Sequence, residues 1–486
     1  MKEKIQTNRK KITLFQALLP IIFLIGLLGY NVFFVYGDQA LSGSNQFILL
    51  LGAALAVVIG WFNNVPIKEI THEIYDNIKS TSGAILILLL VGALSGTWLL
   101  SGIIPSMIYY GLQILNPSIF LVACVIICAM VSIAIGSSWT TSATIGIALV
   151  GIGQTLQIHE GLIGGAIISG AYFGDKLSPM SDTTNLASAV SGTDVFTHIR
   201  YMLYTTLPSI IITIVLFSII GFTISSQGVS DTSAIELSIK ERFNVTPWVF
   251  VAPFIILLMI YKKAEPLVAL FCGVLLGVIF ALIFQQNLLL ELTSKTYLDF
   301  KSLYKLIIDT ITTSTQIPTD NPTLNELFSS SGMQGMLSTI WLIICAMAFG
   351  GVMEAIGALE RITSFLLNLF SSMFGLFAST TVSCIMLNMT TSDQYLSLVI
   401  PGKMFSKAYK SKGLAPENLS RTLEDSGTVT SVLVPWNTCA AYNSGVLGIP
   451  TLSYLPYAFF NIISPFMTLI FVAFKIKIRQ LKDENK

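Results

Sequence analysis

Apolar runs of about 20 residues recur along this chain, and that length lets an α-helix cross the hydrocarbon core of a bilayer. Leu14 to Tyr36, Gln46 to Phe62, Tyr201 to Ser225, Val268 to Gln286 and Tyr454 to Phe474 are clear cases. Hydrophobic residues make up 53% of the chain and charged residues only 11%, against roughly 25% charged in a soluble domain. The expectation is an all-α polytopic membrane protein with about ten to twelve crossings. The first run is too long for a signal-peptide core and lacks a small-residue cleavage site after it, so it reads as a retained helix.

The formal net charge is +1, and the basic residues gather at the edges of the apolar runs instead of forming one face for nucleic acid. Lys2, Lys4, Arg9, Lys10 and Lys11 precede the first run, and Lys475, Lys477, Arg479, Lys482 and Lys486 follow the last. Both termini are therefore expected in the cytoplasm, with an even number of crossings between them. The same rule places Lys262, Lys263 and the stretch from Lys403 to Arg421 inside, and leaves the loop around Asp38 outside. A simple crossing between Gly357 and Arg421 conflicts with that rule; a re-entrant hairpin removes the conflict. The six cysteines lie in apolar surroundings without a CxxC pair, which argues for packing and against a disulfide framework or zinc site.

An internal duplication is visible. Thr140-Thr141-Ser142 and Thr390-Thr391-Ser392 are related by an offset of 250, and Asp175 and Asp425 each follow 35 residues downstream. Ser95 to Gly102 lies over Gly350 to Gly357 at an offset of 255. Each half also carries a charged amphipathic stretch, Pro66 to Ser80 and Leu298 to Thr315, of the kind that lies in the membrane interface. Five segments follow: 1–45, a cytoplasmic N-terminus and first helix; 46–226, a first transport repeat; 227–265, a connection with one helix; 266–474, a second repeat; and 475–486, a cytoplasmic tail.

The segment from Gly170 to Ala187, GAYFGDKLSPMSDTTNLA, is unlike a plain spanning helix. A charge at membrane depth costs several kcal/mol, so Asp175 and Asp182 are expected to face a protein cavity or aqueous path. Pro179 disfavours helix at Ser178, and a broken helix frees carbonyls and amides that bind ions. The bland alternative pairs Asp175 with adjacent Lys176 at a water interface. Asp425, within LEDSGTVTSVLVPWNT, repeats the mixture of Asp, Ser, Thr, Gly, Pro and Asn. Thr140, Thr141 and Ser142, with Ser137 and Ser138, offer oxygen ligands to a hard cation, or serve only helix packing. In the second half Asn388, Thr390, Thr391, Ser392 and Asp393 form the matching group, with Asn437 nearby. Asp425 adjoins Glu424, with Asp393 as a third carboxylate, and a crowded acidic group is expected there. Glu354, isolated in an apolar helix, reads as a proton carrier or a helix-end charge. His72, His159 and His198 are expected in solvated or interfacial positions. No GxxxxGK[ST] phosphate cradle is present, so coupling to an ion gradient is the remaining energy source.

The stretch GAYFGDKLSPMSDTTNLA, followed by SGTDVFTHIRYMLYTTLPS and supported by GSSWTTSATIG at Gly136 to Gly146 and VPWNTCAAY at Val434 to Tyr442, resembles the NhaC family of sodium/proton antiporters. The resemblance implies two inverted repeats with broken helices or hairpins meeting at mid-membrane, and sodium/proton exchange in the cytoplasmic membrane. Family members similar to malate/lactate exchangers leave the cargo open. The expected partners are sodium ions, protons and the lipid bilayer, with malate or lactate as the alternative cargo, a homodimer allowed and no nucleic acid. The chain is expected to be a transporter and not an enzyme, without a cofactor. Asp175, Asp182, Asp393 and Asp425 are the expected proton- and sodium-binding carboxylates, with Lys176 as charge partner. A malate/lactate exchanger of the same fold and, from another class, an ion channel are the rivals; paired broken helices argue against a continuous pore.

Overall fold

The computed structural model describes residues 10–36, 43–225, 233–319, 325, 328–369 and 372–481. The lysines before residue 10, Asp38, Lys482 and Lys486 lie outside these. In chain order the helices are α1 (Leu14–Tyr30), α2 (Ser44–Phe62), α3 (Ile67–Ser80), α4 (Ser82–Leu100), α5 (Ile103–Ile114), α6 (Pro117–Ile135), α7 (Ser138–Thr141), α8 (Ile147–Thr155), α9 (Glu160–Leu177) and α10 (Asp182–Ser191). They continue with α11 (Val195–Ser225), α12 (Ser233–Arg242), α13 (Val251–Tyr261), α14 (Pro266–Phe284), α15 (Gln286–Leu292), α16 (Phe300–Thr312), α17 (Leu337–Ala355) and α18 (Ala358–Leu369). The last are α19 (Met373–Thr391), α20 (Gln394–Ser411), α21 (Pro416–Leu423), α22 (Thr438–Leu447) and α23 (Phe459–Ala473). A two-residue ribbon, Thr315–Gln316 against Ser329–Ser330, is antiparallel.

Among the described residues eight helices are long and apolar enough to span a membrane, or ten if each of two bent pairs is one span. The expected ten to twelve overlaps only the top of that range. α9 carries too many polar and small residues to read as a lipid-facing span and is almost wholly buried by protein, while α20 is too rich in polar and charged residues to qualify. Large apolar side chains such as Phe222, Phe254, Ile283 and Phe466 remain exposed, as a lipid-facing surface requires. The amphipathic stretches form α3 and α16 as expected. All six cysteines are free, and only Cys272 is not fully buried. His72 is exposed beside Asp76, and His159 caps α9. His198 departs from expectation: it is fully buried, with Nδ1 2.7 Å from the Ser420 hydroxyl, because α11 is covered by α21.

Element boundaries give the duplication its register. Ser82 and Leu337 open α4 and α17, 255 residues apart, and the αL glycines Gly102 and Gly357 (φ 77° and 75°) end them. From α6 onward the spacing is 256. Breaks at Gly136 and Ser392, N-caps at Ser137 and Asp393, prolines at Pro179 and Pro435, and caps at Ser181 and Asn437 all match. Gly192 and Gly448, both αL, close α10 and α22. The offset of 250 is thus corrected. Thr140 and Thr141 follow the first break whereas Thr390 and Thr391 precede the second, so the two Thr-Thr-Ser triplets are not equivalent. Nor are the two aspartates: Asp175 closes α9, and the position 256 before Asp425 is Ser169.

α19 turns at Ser392 (φ 59°) and returns as α20. The Tyr409 hydroxyl lies 3.2 Å from that of Thr380, and its ring is 5.0 Å from Phe377, so the hairpin's open ends lie together. α19 and α20 thus form a helical hairpin within the stretch from Gly357 to Arg421. Beyond α20, Leu414 bridges to Gln480, and the Ala415 amide donates to the Arg479 carbonyl. The basic stretch at Lys403–Lys412 and the tail at Lys475–Arg479 therefore share one side.

Candidate functional site

The site forms where the two helical breaks meet the two proline breaks. α6 and α9 lie in close contact because Gly170 and Gly174 let the backbones approach. A Cβ at Gly170 would stand 2.3 Å from the Val125 carbonyl oxygen, and one at Gly174 2.5 Å from that of Ala129. The Ser132 hydroxyl donates to the Ala171 carbonyl across the same seam (2.6 Å). This contact carries the last turn of α9, with Asp175 and Lys176, up to the first break.

There the Asp175 carboxylate accepts from the Ser138 amide (3.1 Å) and hydroxyl (2.7 Å). A carboxylate at the start of a helix is favoured by freed N–H groups, and here the start is α7, capped by Ser137. Asp175 does not pair with adjacent Lys176. Successive helical residues point about 100° apart, and the Lys176 ammonium instead reaches Asp425 in the other half. Both side chains are fully buried. Asp425 lies in a π-helical segment, Glu424–Thr428, and also accepts from the hydroxyls of Thr205 (2.7 Å) and Thr468. The Lys176 nitrogen is 5.5 Å from the centre of the Phe460 ring. One ammonium and two hydroxyls thus satisfy this carboxylate, replacing the acidic crowding expected around it.

At the second break, Asp393 is buried and caps α20 by accepting from the Leu396 amide (2.9 Å). The Thr391 hydroxyl donates to the Leu387 carbonyl (2.9 Å) and accepts from the Asp393 amide (3.2 Å). Thr390 donates to the Leu387 carbonyl (3.3 Å), while Thr141 donates to that of Ser137 (2.9 Å) and Thr140 to the Ser137 hydroxyl (3.1 Å). These hydroxyls stabilise the breaks locally. Asn388 donates to the Gly427 carbonyl (2.7 Å) and the Thr430 hydroxyl (3.0 Å), and Asn437 to the Asn388 carbonyl (3.1 Å). The Ser392 carbonyl accepts from the Thr438 amide (2.9 Å).

The halves also interlock. The Ser142 hydroxyl donates to the Asn443 side chain (2.6 Å), and the rings of Trp139 and Tyr442 stack 4.3 Å apart. Two expected residues stand apart. Asp182 opens α10 with an exposed side chain, and Glu354 is half-buried beside α3, accepting from Asn77 (3.0 Å). Thr205, Thr468, Asn443 and Glu424 belong to the cluster but were not singled out as ligands. Threonines within apolar helices commonly bond back to their own backbone, as Thr205 also does to the Met202 carbonyl (3.1 Å), so Thr205 and Thr468 gave no signal. Glu424 was legible only as a neighbour of Asp425.

The arrangement sets a buried carboxylate and two hydroxyls against one buried ammonium, oxygen chemistry suited to a hard monovalent cation or a proton. The model of the Na+/H+ antiporter family matches residues 170–476. The Na(+)/H(+) antiporter NhaC of Alkalihalophilus pseudofirmus is 36% identical over 87% of this chain and 88% of its own length. NhaC of Bacillus subtilis is 34% identical over 95% and 98%. A protein named Malate-2H(+)/Na(+)-lactate antiporter, also from Bacillus subtilis, is 35% identical over 94% of both chains.

Proposed function

This chain belongs to the Na+/H+ antiporter family, and we propose on that ground that it exchanges sodium for protons across the bacterial cytoplasmic membrane, both termini inside. The buried Lys176–Asp425 pair carries the reading. An ion pair taken out of water is costly to keep and costly to break on one side only, so an arriving sodium ion takes the place of the ammonium on Asp425, and because that ammonium stays tethered in the site, charge is balanced by the loss of one proton from the site. Asp175, held by Ser138 at the first break, and Asp393, at the second, supply further carboxylates; Asp182, exposed at the start of α10, serves as an approach site. Protons and sodium then compete for the same oxygens. The recurrence of elements supports treating the halves as inverted repeats that meet at one depth, as alternating access requires.

A malate/lactate cycle would need free positive charge for the carboxylates. Lys176 has its charge taken by Asp425, so it is not free to hold an organic anion. In everted vesicles, sodium should dissipate a respiration-generated pH gradient read by a pH dye, while malate and lactate leave it unchanged. Dissipation by malate or lactate, without response to sodium alone, would replace this reading with the organic-acid one.

A further inference from the structure

Glu424 is fully buried, and neither of its carboxylate oxygens has a hydrogen-bond partner within the protein. Its neighbour Asp425 has an ammonium and two hydroxyls, so the two adjacent acids are treated oppositely. One turn further on, the Thr428 hydroxyl is likewise buried and unpartnered. α21 runs into the π-helical segment without a cap between them, so the position is fixed by the helix and not by a loop. The titratable groups facing Glu424 are Lys176 and Asp175 from α9, Cys384 from α19 and the adjoining Asp425; α10 contributes Thr183.

A carboxylate stripped of water, with only the Thr183 and Thr428 hydroxyls as neighbouring donors, is costly to bury charged, and it escapes that cost by taking up a proton. The Lys176–Asp425 pair is already neutral, so a protonated Glu424 adds no further charge beside it. We propose that Glu424 is the proton-carrying carboxyl of the exchange cycle, holding its proton while Lys176 is paired with Asp425 and releasing it as sodium enters. The O–H bond breaks, the proton passes to water on the open side, and the Lys176 ammonium that the entering sodium displaces from Asp425 balances the Glu424 carboxylate left behind. This rests on the exchange function proposed above and adds a residue to it.

The test uses the full chain in proteoliposomes, following sodium-driven proton flux from about pH 6 to 9 and counterflow of radiolabelled sodium against unlabelled sodium, which needs no net proton movement. In Glu424→Gln, at matched abundance, proton flux should fall by about 100-fold or more, the scale of losing a positioned acid, while sodium counterflow continues. Unchanged flux and pH profile would overturn the proposal, and so would equal loss of both, which would make Glu424 a sodium ligand or a structural group. If Glu424→Gln fails to accumulate, Glu424→Asp keeps a carboxyl and should transport with a displaced pH profile; an unaltered profile counts against the proposal. Dicyclohexylcarbodiimide, which modifies neutral carboxyls in apolar surroundings, should label Glu424 in the wild-type protein, read by peptide mass. No label there overturns the assignment even where wild-type flux is absent, and absent wild-type flux with labelled Glu424 counts against the exchange function alone.

Discussion

Asp425→Asn would leave the Lys176 ammonium buried without its counter-charge. Breaking a buried pair from one side costs about 3–5 kcal/mol, so the variant should melt lower in detergent and lose exchange. Lys176→Met combined with Asp425→Leu should recover melting temperature but not transport, because two apolar groups pack without charge yet bind no cation. A double variant as unstable as Asp425→Asn would mean that packing, not charge, is lost. The acidic crowding expected from sequence around Asp425 would have made Asp425→Asn mild; the ammonium that pairs with it makes it severe. Adjacency in sequence misled there. Asp175, Lys176, Asp425, Asn388 and Asn437 were legible because each interrupts apolar sequence; who touches whom was not, because Lys176 and Asp425 are 249 residues apart.

Among elements, the close contact of α6 with α9 depends on Gly174 more than on any large side chain. Gly174→Leu places a Cβ 2.5 Å from both the Ala129 carbonyl oxygen and the Ser132 Cβ, and should abolish membrane abundance in immunoblots, whereas Gly26→Leu, with open space around it, should not. The two Thr-Thr-Ser segments should also separate functionally. Thr391 both donates into α19 and accepts from the Asp393 amide at the turn, while Thr141 makes one bond within its own short helix. Thr391→Ala should therefore raise the sodium concentration for half-maximal flux more than Thr141→Ala; equal shifts would show that the breaks are equivalent after all. Chance identity of three small polar residues produced the offset of 250. The spacing of 255 was readable in the match of Ser95–Gly102 with Gly350–Gly357, but its continuation at 256 became readable only with helix caps, since αL glycines and N-caps are fixed by backbone geometry and not by residue identity.

At the scale of the molecule, the halves meet through Ser142 and Asn443 as well as through the buried ion pair. In a background lacking the six native cysteines, oxidation of Ser142→Cys with Asn443→Cys should join the halves and stop sodium-driven proton flux, and reductant should restore it. Full flux through the cross-linked form would show that the halves need not separate there. The many crossings, though not their number, and the amphipathic helices were readable in outline from hydropathy and charge placement, because lipid enforces them everywhere along the chain. Which polar segments lie against each other depends on tertiary packing that no periodicity encodes. The joining of Lys176 to Asp425 has a further implication for fidelity. With the ammonium as a built-in occupant, the unloaded carrier never presents a bare carboxylate at that position, so little invites a stray proton to ride through alone. A bound lysine thus acts as a tethered placeholder, and leakage in the absence of sodium should stay low for as long as the tether holds.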